Sequence, residues 1–254
     1  MSRTFVLNTL AYKQVFNDNP TISQAELLHE IKTAGFHIIE IRREYIKGGE
    51  EEIRHIAKKA IEEGVDLLYS IPDELYKNNE LNPELKQYFK EAHLLHSPQI
   101  KLTLGEYENI TEQQVEIINE YIQKYAIKLL IENDQNKEIS NSLKLKTFVT
   151  QAEQLGLTIG LTFDIGNFVH VGENPMESAQ TLKPFVQYVH IKNAKKTDTG
   201  IATTDIESGD LNLESIIKVF PKDLPYGLEY SCGERTGIVE KMAHELELVY
   251  QMSL

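Results

Sequence analysis

Short apolar runs alternate along this chain with longer stretches in which apolar residues recur every three to four positions. The runs at residues 4–10, 36–41, 66–71, 100–104, 127–131, 157–163, 188–191 and 226–230 are rich in β-branched and aromatic side chains and read as eight strands. The segments between them carry helix punctuation. Ser23 with Glu26 forms a capping box, and Gly35 stops the helix that follows it. Residues 50–63 end at Gly64, Asn82-Pro83 opens the next helix, and Thr111 with Gln114 is a second capping box. Residues 143–155 end at Gly156, Pro175 opens a further helix, and residues 213–220 and 236–251 complete the series. Strand followed by helix, eight times, implies right-handed crossovers and a parallel sheet. The expected fold is α/β, a single (β/α)8 TIM barrel forming one domain over residues 1–254. An open doubly wound sheet is the alternative. The first strand is followed by Asn8-Thr9-Leu10-Ala11-Tyr12, which lacks the Gly-rich turn of a dinucleotide site.

A barrel places its chemistry at the C-terminal ends of its strands, and inward-facing residues come in steps of two. Strand five ends on Glu132 and strand six on Asp164, followed by the tight turn at Gly166. In strand seven, His190 and Lys192 share a face opposite Val189 and Ile191. Strand eight ends on Glu229. Each of these residues alone has an ordinary explanation as a cap, an ion-pair partner or a packed histidine. Together they bring three carboxylates and one imidazole to one rim. Three converging carboxylates repel one another without a cation. The set therefore predicts one divalent metal ion held by Glu132, Asp164, His190 and Glu229. Mn²⁺, Co²⁺ or Mg²⁺ suits such ligands, and Zn²⁺ is a further option.

Composition narrows the partners. A length of 254 residues is ordinary for such a barrel, and 41% hydrophobic residues supply a core. The net charge of -13 disfavours nucleic acid, because the densest basic cluster, Lys192, Lys195 and Lys196, is short. No stretch is long and apolar enough for a membrane span. The early run Phe5-Val6-Leu7 is too short for a secretory signal, so a cytoplasmic location is expected. Cys232, the single cysteine, excludes an internal disulfide and a cysteine metal cluster, and a buried packing role is its default.

The segments Ile131-Glu132-Asn133, Phe163-Asp164-Ile165-Gly166-Asn167, Val189-His190-Ile191-Lys192-Asn193 and Gly227-Leu228-Glu229 resemble the xylose isomerase-like TIM barrel superfamily. They are most similar to its sugar phosphate isomerase/epimerase branch, as is Gly209-Asp210-Leu211-Asn212-Leu213. The resemblance implies a metal-dependent sugar isomerase or epimerase acting on a small sugar, sugar phosphate or hydroxy-keto acid. It also implies a single bound ion, Mn²⁺ by preference, on Glu132, Asp164, His190 and Glu229. Glu132 and Glu229 match the acid–base pair of such enzymes. The chain departs from ketose 3-epimerases at Asn167, where they usually carry histidine, and at Lys196, where they carry arginine. Both departures argue against a free ketohexose. Asn167, Lys192 and Lys196 are the candidates for substrate contact, with an ion pair the other reading of Lys192 and a solvated loop the other reading of Lys196. Barrels of this kind often pair, which makes a homodimer an open expectation.

Other residues receive plainer readings. Glu40 and Arg42 alternate on strand two and are expected to pair with each other inside the barrel, with substrate contact the other reading. Lys101 begins strand four and is expected at the end remote from the chemistry. His170, His93 and His96 are expected at the rim or surface. Three rival activities stay open. They are a dehydratase using the same proton abstraction, a barrel that binds sugar without turnover, and a phosphodiesterase, which would need more histidines and a basic face.

Overall fold

The computed structural model describes residues 3–252, so the outermost residues of the expected unit 1–254 lie outside the described residues. Eight strands form one closed parallel ring. They are β1 (Thr4–Asn8), β2 (Ile38–Arg42), β3 (Asp66–Lys77), β4 (Gln99–Gly105), β5 (Lys128–Glu132), β6 (Gly160–Asp164), β7 (Val186–Ile191) and β8 (Pro225–Leu228). Each pairs in parallel with its sequence neighbours, and β1 closes the ring against β8. The main outer helices are α1 (Leu28–Thr33), α2 (Gly49–Glu63), α3 (Leu85–Leu94), α4 (Glu112–Tyr125), α5 (Ser142–Gln154), α6 (Pro175–Leu182), α7 (Leu213–Ile217) and α8 (Ile238–Met252). The chain is thus a (β/α)8 TIM barrel.

The helix punctuation works as local chemistry demands. Ser23 and Thr111 both close capping boxes, and Gly64 takes the left-handed conformation at φ 67° that ends α2. Pro175 occupies the first turn of α6 behind the Asn174 cap. Asn82 acts one turn earlier than expected. Its side chain accepts from the Glu84 N–H, and α3 begins only at Leu85. Several elements exceed the pattern in the sequence. β3 runs on to Lys77, a six-residue helix at Ile165–His170 follows β6 directly, and residues Asn193–Thr197 and Gly200–Thr204 form an antiparallel hairpin after β7.

Alternation along the strands divides the core in two. Outward residues such as Leu7, Ile39, Leu102, Ile131, Phe163, Val189 and Leu228 join the helices in one large apolar cluster. Inward residues stack in layers of four drawn from alternate strands. Val6, Leu68, Leu130 and Tyr188 form a separate apolar floor. Above it the register places Glu40, Lys101, Thr162 and Gly227, then Asn8, Ser70, Glu132 and His190. Arg42, Thr103, Asp164 and Glu229 form the uppermost layer. The bore is therefore apolar at its base and polar towards the C-terminal mouth.

Gly227 makes this stacking possible. A Cβ there would stand 2.1 Å from the Tyr188 hydroxyl and 3.1 Å from the His190 ring. Both neighbours are fully buried and cannot retreat. Gly227→Ala is expected to lower stability by about 1–3 kcal/mol through overpacking, read as a shift in the urea midpoint at unchanged slope.

Candidate functional site

Glu132, Asp164, His190 and Glu229 meet at the mouth of the barrel. Each offers a ligand atom, and these atoms lie within 4.8 Å of one another. All four side chains are buried. Three of the strands position them in steps: Glu132 ends β5, Asp164 ends β6 and also caps the helix behind it, and His190 lies in β7. Glu229 follows β8 by one residue and is held by its backbone N–H donating to the Ile191 carbonyl.

The imidazole is gripped from both sides. His190 Nε2 lies 2.8 Å from Glu40 Oε2, while Nδ1 faces the carboxylates, 2.5 Å from Glu132, 3.4 Å from Glu229 and 4.0 Å from Asp164. Glu40 also accepts from the Tyr188 hydroxyl and the Asn8 amide. A carboxylate on the far nitrogen of a histidine fixes its ring and tautomer for ligation through the near one. Glu40 and Arg42 do not pair with each other, contrary to expectation. They belong to different layers, and Arg42 instead bonds Glu229 at 2.8 Å and Glu44 at 2.5 Å.

Lys101 corrects a second expectation. It is not remote from the site: its ammonium lies 2.5 Å from Glu132 and 3.7 Å from Glu229. Its Cα sits below Glu132 in register, but the four-carbon stem carries the charge upward. The alternation of Lys101 and Thr103 with Ile100, Leu102 and Leu104 turns Lys101 towards the bore, but it does not show how far up the ammonium reaches. Lys192, one residue past the end of β7, reaches the same cluster, 2.7 Å from Asp164 and 3.0 Å from Glu229.

These contacts set the protonation states. Burial opposes charge on His190, yet Glu40, Glu229 and Glu132 outweigh it and lift its pKa well above the usual imidazole value. Burial raises Glu229, but Lys192, His190 and Lys101 overcome this and hold it well below the ordinary carboxylate range. Glu132 is lowered in the same way, chiefly by Lys101 against burial and the charge of Glu229. Asp164 goes the other way. Burial, with Glu229 and Glu132 nearby, pushes its carboxyl up to about 7 despite Lys192.

The donor set fits a hard divalent ion. Asp164 Oδ1 is engaged by the Asn167 N–H at 2.8 Å, whereas its buried Oδ2 accepts no well-directed hydrogen bond. Four convergent O and N ligands, one anchored by Glu40, match such an ion.

Above the cluster lies a cavity of about 220 Å³ whose walls include Lys101, Glu132, Asn167, Lys192 and Glu229. A second, of about 310 Å³, shares Lys192 and Glu229 and adds Lys13, Thr203, Thr204 and Ser231. The hairpin after β7 supplies the threonines, and no feature of the helical pattern announced it. A larger cavity, near Phe5, His37 and Tyr250, opens beside the starts of β1 and β2, away from these carboxylates.

Asn167 lines the cavity while bonding the Asn133 carbonyl, and Gln135 donates to it. Lys196 stands exposed on the hairpin and is not among the residues lining either mouth cavity. His170 is half-buried with Nε2 3.5 Å from Thr203, and His93 and His96 are exposed. Cys232 is buried, and that burial pushes its thiol up to about 12. Among the described residues no helix is long and apolar enough to cross a membrane.

No protein-family model and no curated protein matches the chain in sequence. Solved structures match its fold throughout. A xylose isomerase domain protein from Planctomyces limnophilus superposes with a TM-score of 0.67 at 14% identity, covering 99% of this chain and 96% of its own. A D-psicose 3-epimerase solved in the presence of D-fructose gives 0.68 at 12% identity, covering 98% and 99%. The probable 3-DHS dehydratase AsbF from Bacillus anthracis gives 0.65 at 17% identity, covering 97% and 98%. The likeness is one of fold, a (β/α)8 barrel, and the solved structures that share it also include a sugar phosphate isomerase/epimerase from Parabacteroides distasonis, with a TM-score of 0.62 at 17% identity, covering 98% of this chain and 94% of its own.

Proposed function

We propose that this protein is a divalent-metal-dependent isomerase or epimerase of a small sugar, sugar phosphate or hydroxy-keto acid. The convergence of Glu132, Asp164, His190 and Glu229 at the floor of the mouth cavity carries this reading. A bound divalent ion, Mn²⁺ by preference, would supply Lewis-acid polarisation of a substrate carbonyl and offset the charge of an enediolate. Glu132, held ionised, takes the proton from the carbon next to that carbonyl. Glu229 returns a proton, to the opposite face of the same carbon for epimerisation or to the neighbouring carbon for isomerisation. Lys101 keeps Glu132 in the accepting, ionised form, and Glu229, which lines both mouth cavities, acts as the acid with a proton taken up from solvent there. Arg42, Asn8 and Glu40 hold the set in place.

The test is exchange of substrate α-protons in heavy water across a panel of keto sugars, their phosphates and hydroxy-keto acids. It is run on metal-stripped protein with and without added Mn²⁺. Metal-dependent exchange is the expected result, and its absence across the panel would remove the proposal. A dehydratase begins with the same proton abstraction. That second reading is favoured by the AsbF likeness, and a product lighter than the substrate by one water identifies it.

The protonation states predict a pH dependence of ion binding. Protons and cations compete for the same oxygens, so apparent Mn²⁺ affinity rises with pH as Asp164 loses its proton around 7. It continues to rise above that pH while His190 still carries its second proton. Calorimetric titration between pH 6 and 8, spanning roughly one unit on either side of the Asp164 value, reads this as up to about tenfold per unit per proton released. Affinity independent of pH would contradict it.

A further inference from the structure

Two carboxylates of the cluster each have one oxygen held by the protein frame and one turned towards the common centre. Asp164 Oδ1 accepts from the Asn167 N–H, and Glu229 Oε1 accepts from Arg42 and, at 3.3 Å, from Asn8. The inward oxygens, Asp164 Oδ2 and Glu229 Oε2, are the two that the Lys192 ammonium spans, at 2.7 and 3.0 Å. One ammonium thus stands against the inward oxygens that two ligands would give to a cation, hydrogen-bonded to Glu229 Oε2 and ion-paired with Asp164 Oδ2.

The path of Lys192 is built into the backbone. Its stem runs through a slot left open by Gly166, where a Cβ would stand 2.7 Å from Lys192 Cγ and 3.4 Å from Cε. Gly166 lies in the helix Ile165–His170 and no positive φ requires glycine there, so the slot is its visible use. Lys192 also borders both mouth cavities, which gives its flexible stem somewhere to go. Lys101 and Arg42 border only the inner one.

Charge balance makes the two positions exclusive. The carboxylates of Glu40, Glu132, Asp164 and Glu229 face Lys101, Lys192, Arg42 and His190. A divalent ion added among them meets an ammonium already on its coordinating oxygens.

We infer that Lys192 is an internal counter-ion that a divalent cation displaces. Its ammonium holds Asp164 and Glu229 together in the metal-free protein and withdraws into the mouth cavity when the ion binds. This rests on the metal reading above and adds a conformational step to it. Lys192 then enters the cavity only in the loaded protein, beside Thr203, Thr204 and Ser231.

The experiment is calorimetric titration of MnCl₂ into the metal-stripped 254-residue chain and its Lys192→Met variant, with melting curves of both. Lys192→Met is expected to bind Mn²⁺ at least tenfold more tightly. Its metal-free form should melt lower than the wild type, and saturation with Mn²⁺ should narrow that gap. Gly166→Ala, which crowds the lysine stem, should move affinity in the same direction and carries the comparison if Lys192→Met does not fold. Unchanged or weaker Mn²⁺ binding in the foldable variants overturns the counter-ion inference while leaving the metal site standing. Absence of Mn²⁺ binding in every protein, wild type included, removes the metal reading and this inference with it.

Discussion

Replacing Glu132 by glutamine is expected to cut metal-dependent exchange of the substrate α-proton by about 10²–10⁴-fold, the usual worth of a positioned general base. The amide is nearly isosteric and still accepts a hydrogen bond, but it cannot take a proton. Ion binding should weaken too, since one anionic ligand is lost. The fold should persist, because Lys101 keeps Glu229 at 3.7 Å and the attraction of Glu40 as compensation. Heavy-water exchange followed by NMR, with circular dichroism on the same sample, makes the measurement. Exchange at the wild-type rate in Glu132→Gln would show that another group removes the proton.

Lys101→Met should have the largest effect on stability. Lys101 is 3% exposed, and burial disfavours its charge, yet Glu132, Glu229 and Glu40 lift its pKa above the ordinary amine value. Removing one partner of such a buried set leaves carboxylates uncompensated, at a cost of about 3–5 kcal/mol. For a barrel of this size that is a fall in Tm of about 6–20 °C. Added Mn²⁺ should recover more of the loss in the variant than it gains for the wild type, because the ion replaces missing positive charge. Combining Lys101→Met with Glu132→Gln should cost less than the sum of the two changes, since they remove both ends of one contact. A metal-free variant melting within about 1 °C of the wild type would mean that the carboxylates are neutralised in another way.

Both predictions depend on layers inside the barrel that the sequence revealed unevenly. The strand-end residues were legible because strand and helix periods differ, and because an ionisable residue closing an apolar run must face the bore or solvent. Glu132, Asp164, His190 and Glu229 were found in that way. Lys101 was misplaced because its Cα lies low in β4, and reach along a lysine stem does not show in a period-two pattern. Glu40 and Arg42 were paired by proximity in sequence, whereas their own strand sets them one layer apart. Each then finds partners from strands far away in the chain, Glu40 on His190 and Arg42 on Glu229.

The amino-acid order by itself determined the alternation of eight strands with helices, their caps, and the ionisable groups at the late strand ends. These are local properties, set by backbone period and by hydrogen-bonding groups within one or two turns. Only the tertiary structure decided which inward residues stand level with one another, that a hairpin after β7 walls the mouth, and that two lysines meet the carboxylates. Those depend on the stagger between strands when the sheet closes on itself, a relation between residues up to 221 positions apart that no local pattern encodes.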